Sequence, residues 1–202
     1  MKTLWGYDIN TCLPPLLTPE AFDEFTANKY AGDYRIGKEL EAASAAVRNY
    51  VGWHLWPSAD CTLKMTMQDG RVTRVGVDIL VQLPAKYVTS VTSVTIGGTV
   101  YDFSFETNGI LRIYDVLKGY GRKTEVEIVY TAGLPDSMMQ SIGDIMAHRV
   151  IHALASPNGV TNETAGGVSI TYNANWINNA QATALPDDNK EVLAPYRCQG
   201  VF

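Results

Sequence analysis

The chain has 202 residues, of which 46% are hydrophobic and 18% charged, and its formal net charge is −5. A chain of this length can bury a substantial core in one domain or two small ones, and its composition excludes a disordered protein. The acidic balance argues against a surface built to hold a nucleic-acid backbone.

Cysteine content and apolar runs indicate where the protein is made. The three cysteines show no CxxC spacing, so we expect neither a disulfide framework nor a zinc site, and a reducing compartment is the default. No stretch approaches the roughly 18 consecutive apolar residues of a membrane span, and the N-terminal sequence lacks the apolar run of a signal peptide. The sequence therefore predicts a protein that is made in a cytoplasm and has no membrane partner.

Two helices are predicted near the N-terminus. In LLTPEAFDEF, Thr18 is the expected N-cap and Pro19 takes the first helical position. Asp33 is expected to cap the second helix, and Gly52 to end it. The small residues of the second helix predict a slim face that another helix, in the same subunit or a neighbour, can approach closely. That face comprises Ala42, Ala43, Ala46 and Val47.

The chain from about Cys61 to Thr131 alternates between apolar and polar residues, which is typical of β-strands. One hairpin is expected to turn at Asp69-Gly70, and another at Gly97-Gly98. The buried strand ILVQLP lies between them, and the strands GILRIYD and TEVEIVYTAG follow. About six or seven short strands predict an antiparallel β subdomain, as a small barrel or a sandwich.

A strand-to-helix hinge follows this subdomain. Gly133 and Pro135 end the last strand, and Asp136 is the expected N-cap of a long helix. After a loop rich in Gly, Asn and Thr, the segment VSITYNANW is expected as a strand or an extended arm. A short helix from about Asp187 to Tyr196 completes the predicted elements.

These elements predict an α+β fold class, with a helical, bundle-like body, an inserted antiparallel β subdomain and an extended C-terminal arm. The expected divisions are residues 1–57 for the N-terminal helices of the body, 58–132 for the inserted subdomain, 133–157 for the long helix, and 158–202 for a flexible loop and the arm with its short helix.

One group of side chains could bind a metal ion. Asp144, His148 and His152 recur at four-residue spacing on the long helix, and histidines at this spacing can chelate zinc. The glutamate that zinc proteases carry beside the first histidine is absent, because Arg149 occupies that position. We therefore interpret the three side chains as a polar flank of the helix and predict no metal site.

No other pattern indicates catalysis. The sequence has no G-x-S-x-G nucleophile elbow. The glycines of ETAGG and KGYGRK do not lie between a strand and a helix, as those of phosphate-binding loops do. The sequence therefore predicts no enzyme and no cofactor.

Basic residues form two clusters, and both are expected on hairpin strands or tips. Such charges usually belong to solvated loops. If the chain were repeated around a ring, they could instead line a channel that tolerates passing DNA without sequence recognition. The candidate channel residues are Arg71, Arg74, Lys118, Arg122 and Lys123.

Several motifs follow one another in a recognisable order: LLTPEAFDEF, ELEAASAAVRNYVGW, LPAKYVTSVTSVTIGGTVYDF, VEIVYTAGLPDSMMQSIGDIMAHRV, AGGVSITY and VLAPYR. This order, which covers most of the chain from Leu16 to Arg197, resembles that of the head–tail connector (adaptor, head-completion) proteins of tailed double-stranded DNA bacteriophages.

The resemblance implies a structural protein of the virion neck that assembles in the host cytoplasm. Copies would form a ring of about twelve below the portal protein, extend the DNA channel and present a lower surface to the next neck or tail-completion protein. The isolated chain would then be a monomer, and the ring would form only on the portal. The helices would form the ring wall, and the C-terminal arm would dock on the portal.

The arm mixes flexible residues with spaced large ones, a pattern that suits a segment that becomes ordered on a partner. Leu193 and Tyr196 are expected to anchor its short helix in a groove. The expected docking residues are Ile170, Tyr172, Trp176, Leu185, Leu193, Tyr196 and Phe202.

Two alternative functions follow from the residues alone. A β-sandwich binding module could recognise a host surface glycan or protein, with exposed Trp53, Trp56 and Trp176 as stacking platforms. Trp53 and Trp56 follow a helix end, however, where they more easily pack a helix-to-sheet junction. A weaker alternative is a metal-dependent hydrolase that uses the Asp and two His residues of the long helix.

Overall fold

The structure is a computed structural model that describes residues 3–116, 120–155, 162–165, 168–171 and 185–198. For 162–165 and 168–171 it describes the backbone alone.

Strands predominate in the order of elements along the chain. The elements are β1 (Tyr7–Ile9), α1 (Pro19–Phe25), α2 (Ile36–Val51), β2 (Ala59–Thr66), β3 (Val72–Val75), β4 (Asp78–Gln82), β5 (Val88–Ile96), β6 (Thr99–Val100), β7 (Phe103–Phe105), β8 (Ile110–Ile113), β9 (Glu125–Ala132), α3 (Gln140–Ala155), β10 (Asn162–Ala165), β11 (Val168–Thr171) and α4 (Asp187–Leu193), with 3-10 turns at Asp136–Met138 and Ala194–Tyr196.

Within the residues that the structure describes, the strands form two antiparallel sheets and one separate hairpin. The first sheet has the order β1-β2-β9-β5-β6, the second has the order β3-β4-β8-β7, and β10 pairs with β11. In the first sheet Cys61 lies opposite Tyr130, and Leu63 lies opposite Ile128. All four side chains are buried, because alternate residues of a strand point to the same face.

The predicted helical, bundle-like body is wrong. Within the described ranges, a five-stranded and a four-stranded antiparallel sheet make the fold mainly β, and the α-helices are two of 16 residues and two of 7. An apolar stripe shows which face of a helix is buried but not which element covers that face. For that reason the predicted helices did not specify a bundle. No helix in the described part of the chain is both long and apolar enough to span a membrane.

The chain divides into two compact units. The first, which we call the sheet unit, comprises Met1–Leu13, Val51–Pro135 and Tyr196–Phe202, and contains both sheets. The second, the helix unit, comprises Pro14–Tyr50 and Asp136–Pro195. Both units are therefore assembled from segments that lie far apart in the sequence.

The predicted hairpin at Asp69-Gly70 is also wrong. Strand β2 before this turn belongs to the first sheet, and β3 after it belongs to the second. The hairpin partner of β3 is β4, and the turn between them is Gly76-Val77, where Gly76 has a φ of 64°. The Gly97-Gly98 hairpin is confirmed, since Ile96 pairs with Thr99 across it.

The predicted helix ends differ in how closely they match the structure. Thr18 is confirmed as the N-cap of α1, because its hydroxyl accepts a 3.2 Å hydrogen bond from the Ala21 N–H. Asp33 accepts a 2.9 Å bond from the Arg35 N–H, and hydrogen bonding to Arg35 lowers the pKa of Asp33 to about 2. Asp136 begins a 3-10 turn rather than α3 itself, which starts at Gln140.

Candidate assembly surfaces

The C-terminal helix α4 is attached to the rest of the helix unit. Leu185 and Leu193 are buried, and the Lys190 carbonyl accepts a 3.1 Å hydrogen bond from the Tyr50 hydroxyl. The neighbouring Val192 is 46% exposed. Two residues of the predicted docking arm are therefore buried in the single chain, and Val192 is the apolar side chain that α4 presents to solvent.

From Tyr196 onward the chain belongs to the sheet unit. The Tyr196 carbonyl accepts a 2.7 Å hydrogen bond from the indole nitrogen of Trp53, and the Cys198 N–H donates to the Val51 carbonyl at 2.9 Å. The backbone at Tyr196 is thus bonded within the chain. Ile170 lies on β11, and the other predicted docking residues, Tyr172, Trp176 and Phe202, fall outside the described ranges.

The small face of α2 is buried in the single chain. Ala43, Ala46 and Val47 are at most 2% exposed. Ala42, which we predicted as part of the same face, is exposed. The helix therefore buries three of the four predicted packing residues and turns the fourth to solvent.

Two buried polar side chains of α2 hold the segment that precedes α1. The Ser44 hydroxyl donates to the Leu40 carbonyl at 2.7 Å and accepts from the Leu16 N–H at 2.9 Å. Arg48 donates to the Pro14 carbonyl at 2.8 Å. The sequence showed Ser44 only as one small residue in an alanine run, so this positioning role was not predicted.

The candidate channel residues lie on separate elements of the sheet unit. Arg71 is paired, with its Nη2 atom 2.8 Å from Asp69 Oδ2, and this hydrogen bond raises the pKa of Arg71. Arg74 is exposed on β3, whereas Arg122 and Lys123 are exposed in the turn before β9. Lys118 falls outside the described ranges.

The Asp and His residues of α3 lie on its exposed side. Asp144, His148 and His152 are all exposed, and the His148 ring packs edge-on against Phe25 at a centroid distance of 5.6 Å. In the part of the chain that the structure describes, no three His, Cys, Asp or Glu side chains are placed to hold a metal ion.

The tryptophans expected to stack on a glycan occupy different positions. Trp53 is 0% exposed, so it cannot serve as a stacking platform. Trp56 is half-buried and precedes Pro57 through a cis peptide bond. Trp176 is not among the described residues. The glycan-binding alternative therefore loses the first of its three tryptophans.

A buried histidine joins two strands of the first sheet. The His54 imidazole is 0% exposed; its Nδ1 atom lies 2.9 Å from the Tyr7 hydroxyl, and its Nε2 atom lies 2.9 Å from the Ala132 carbonyl. A carbonyl can only accept, so Nε2 carries the proton and Nδ1 accepts from Tyr7. Sequence reasoning missed this network, because its signal is a single His in the segment GWHLWP.

The strand-to-helix hinge is tightly packed. A Cβ atom at Gly133 would lie 2.3 Å from Ser58 Cα, so glycine is required by close backbone approach. The next residue, Leu134, donates its N–H to the Leu55 carbonyl at 2.7 Å. The glycine that the sequence marked as a strand breaker thus lets β9 pass against the start of β2.

The sheet unit exposes several apolar side chains, which the sequence did not predict. Val75 and Val77 at the β3–β4 turn are 46% and 48% exposed, Val100 is 71% exposed, and Tyr114 is 36% exposed. Tyr101 and Tyr120 are half-buried, and their hydroxyls hydrogen bond to each other. We call these six residues the hairpin patch: Val75, Val77, Val100, Tyr101, Tyr114 and Tyr120.

Polar contacts hold Tyr114 of the hairpin patch in place. The Tyr114 hydroxyl lies 2.7 Å from the Ser104 hydroxyl, and the Arg112 guanidinium lies 5.7 Å from the Tyr114 ring centroid. Arg112 also pairs with Asp78 at 2.7 Å. Apolar and polar residues alternate in the sequences of β3 and β8. This alternation did not show which of the two strands leaves apolar side chains exposed to solvent.

No protein-family model and no curated protein matches the chain.

Proposed function

We propose that the chain is a structural protein of the bacteriophage neck. About twelve copies form a ring beneath the portal protein, extend the DNA channel and join the head to the next neck or tail component. The observation that carries this proposal is the order of the sequence motifs from LLTPEAFDEF to VLAPYR, which resembles the order in head–tail connector proteins.

The secondary structure supports the resemblance to connector proteins at four of its motifs. The alanine-rich motif lies on α2, and VTSVTIGGTV forms the hairpin of β5 and β6. The motif VEIVYTAGLP covers β9 and the hinge before α3, and VLAPYR covers the end of α4 and the following 3-10 turn. These four motifs therefore occur on elements of the kind that the resemblance implies.

The surface of the sheet unit gives a second line of support. A structural ring component needs exposed surfaces that bind neighbouring subunits, and clustered Tyr, Arg and aliphatic side chains are typical of such surfaces. The hairpin patch combines three valines and three tyrosines with Arg112. It is the kind of surface expected of an assembly component.

Co-sedimentation with phage heads tests the proposal. DNA-filled heads that carry the portal should bind the protein in a fixed copy number of about twelve per head. Heads assembled without portal protein are the control and should bind none. Equal binding to both kinds of head, or binding to neither, would contradict the neck function.

A further inference from the structure

The second sheet has an edge strand, β3, with unpaired backbone groups. The Gln82 N–H donates to the Arg71 carbonyl at 3.0 Å, and the same register continues along β3 and β4. Because successive residues of an antiparallel strand turn their backbone groups alternately toward and away from the partner, Val72 and Arg74 turn theirs away from β4. The Val72 carbonyl and the Arg74 N–H and carbonyl form no hydrogen bond with any residue that the structure describes.

The other edges of the two sheets are shorter or already bonded. At β1, the Tyr7 carbonyl accepts a 3.0 Å hydrogen bond from the N-terminal segment, and β6 has two residues. Bonds to β5 flank β7 on both sides: the Tyr101 N–H donates to the Val94 carbonyl at 3.1 Å, and the Val88 N–H donates to the Thr107 carbonyl at 3.1 Å. Among the described sheet edges, β3 is thus the longest one left open.

The β10–β11 hairpin is the second element with unpaired edges. In the described part of the chain its two strands pair with each other and with neither sheet. A two-stranded hairpin alone is marginally stable in water and becomes stable when further strands or a helix join it. Strands β3, β10 and β11 all have four residues, so the open edge and the hairpin match in length.

Sequence decides which strand of the hairpin suits the open edge. Strand β11 reads VSIT, in which three of four residues are β-branched, whereas β10 reads NETA, in which three of four residues disfavour strands. Pairing β3 with β3 of another copy would bring two Arg74 side chains onto neighbouring strands, and like charges in such positions are destabilising. The hairpin strands contain no cation, so β11 is the better partner.

We propose that β11 of one copy adds to the β3 edge of the next copy and extends its second sheet from four strands to six. The inference rests on the ring function proposed above. Strand addition to an exposed edge supplies affinity through main-chain hydrogen bonds, here at Val72 and Arg74. Because the contact joins two different surfaces of identical chains, it generates a closed ring when its rotation closes.

Disulfide trapping between copies tests this contact. All proteins carry Cys12→Ser, because Cys12 is the exposed native thiol. One protein carries Arg74→Cys, and the other carries a cysteine at one of residues 168–171; the two are mixed at high concentration with oxidised glutathione. Alternate residues of a strand share a face, so we expect covalent dimers from positions 168 and 170 or from 169 and 171, with at least about a tenfold preference.

Thr73→Cys is the matched control for Arg74→Cys, because residue 73 lies on the opposite face of β3. With this variant the preferred set of positions on β11 should exchange. Equal yields at all four positions, a set that does not exchange, or no dimers either in solution or on heads would overturn the strand pairing.

A chain that carries Arg74→Cys together with one cysteine of the preferred set distinguishes two copies from one. We expect disulfides between chains, and the covalent oligomers should lengthen with protein concentration. A disulfide within single chains at every concentration would place the hairpin on its own sheet and contradict the contact between copies.

Proline at residue 74 tests the backbone hydrogen bond. Arg74→Pro removes the outward N–H, a change that edge strands tolerate, whereas Arg74→Thr removes the same charge and keeps the N–H. In the Thr73→Cys protein, Arg74→Pro should lower the dimer yield at least about fivefold relative to Arg74→Thr. Urea unfolding shows whether both variants are folded, and equal yields from two folded variants would overturn the role of this N–H. If Arg74→Pro does not fold, the alternation of disulfide yields decides.

Binding to heads separates this contact from the neck function. If the parent binds portal-bearing heads in a fixed copy number but no cysteine pair forms dimers there or in solution, the strand pairing is wrong and the neck function stands. If the alternating dimers form in solution but the parent binds no heads, the strand pairing stands and the neck function is wrong.

Discussion

At the scale of single residues, His54 is the polar group that connects the edge of the first sheet to its centre. Its ring bonds Tyr7 on β1 and Ala132 on β9, although β2 lies between these strands. Both ring nitrogens are satisfied in the neutral form, so the buried imidazole carries no unpaired polar atom. Trp53 packs edge-on against it, with ring centroids 5.5 Å apart.

Replacing His54 should therefore destabilise the protein strongly. His54→Ala leaves the Tyr7 hydroxyl and the Ala132 carbonyl without their partner and opens a cavity, which together should cost about 3 kcal/mol of unfolding free energy. The exposed His148 offers a matched control, and His148→Ala should change stability by less than about 0.5 kcal/mol. Urea unfolding measures both, and similar values for the two variants would contradict the structural role of His54.

The cysteines should differ in reactivity. Burial raises the pKa of the Cys61 and Cys198 thiols to about 12, whereas Cys12 is exposed. Because the thiolate is the reactive form, Cys12 should react with iodoacetamide at about pH 8 much faster than the other two. Mass spectrometry with and without urea gives the rates, and all three should react once the chain is unfolded. Equal rates in the folded protein would contradict the burial.

The raised pKa values of Cys61 and Cys198 also predict how the stability of the protein changes at alkaline pH. In the folded state the two thiols keep their protons to higher pH than in the unfolded state. Their contribution to stability is therefore complete below the unfolded pKa of about 9 and is lost as the pH rises from there to about 12. Replacing both residues by Ser, whose hydroxyl does not titrate in this range, should reduce that pH dependence.

At the scale of elements, α2 has one buried and one exposed side. Ala43 is 1% exposed on the buried side, and Ala42 is exposed on the other. Ala43→Trp should overpack the helix and cost about 1–3 kcal/mol, whereas Ala42→Trp should be close to neutral. Thermal unfolding of the two variants tests the orientation of the helix. A larger loss for Ala42→Trp would reverse our assignment of its faces.

At the scale of the whole molecule, the C-terminal residues contribute to both units. Leu185 and Leu193 are buried in segments of the helix unit, and Tyr196 and Cys198 bond residues of the sheet unit. A chain that ends at Ala165 loses all four residues. Since removing one buried leucine side chain typically costs about 2–5 kcal/mol, this chain should be severely destabilised.

The exposed Val192 gives the control for this truncation, and Val192→Asp should unfold at nearly the parental temperature. Limited proteolysis and thermal unfolding distinguish the two chains. If the chain ending at Ala165 were as stable as the parent, the C-terminal residues would not belong to the core. Portal binding is accordingly better tested with point changes at exposed positions, such as Val192→Asp, than by deletion.

The sequence by itself determined the local features of the fold. The Thr18 cap, the end of α2 at Gly52 and the Gly97-Gly98 turn were predicted and are present. Each depends on backbone geometry and hydrogen bonds within a few consecutive residues, so the residues that encode the feature are those that form it. In β2 and β9 the alternation of apolar and polar residues likewise showed which side chains are buried.

The tertiary structure alone decided how these elements combine. Strand β2 pairs with β9 rather than with β3 beyond Asp69-Gly70. The exposed valines of the hairpin patch and the bonding of Tyr196 to Trp53 also depend on segments distant in the sequence. A hydrophobic repeat of two residues in a strand, or of 3.6 residues in a helix, specifies which side of the element is apolar. The repeat does not specify which other element packs against that side. Partner choice depends on the summed packing of many side chains across the core.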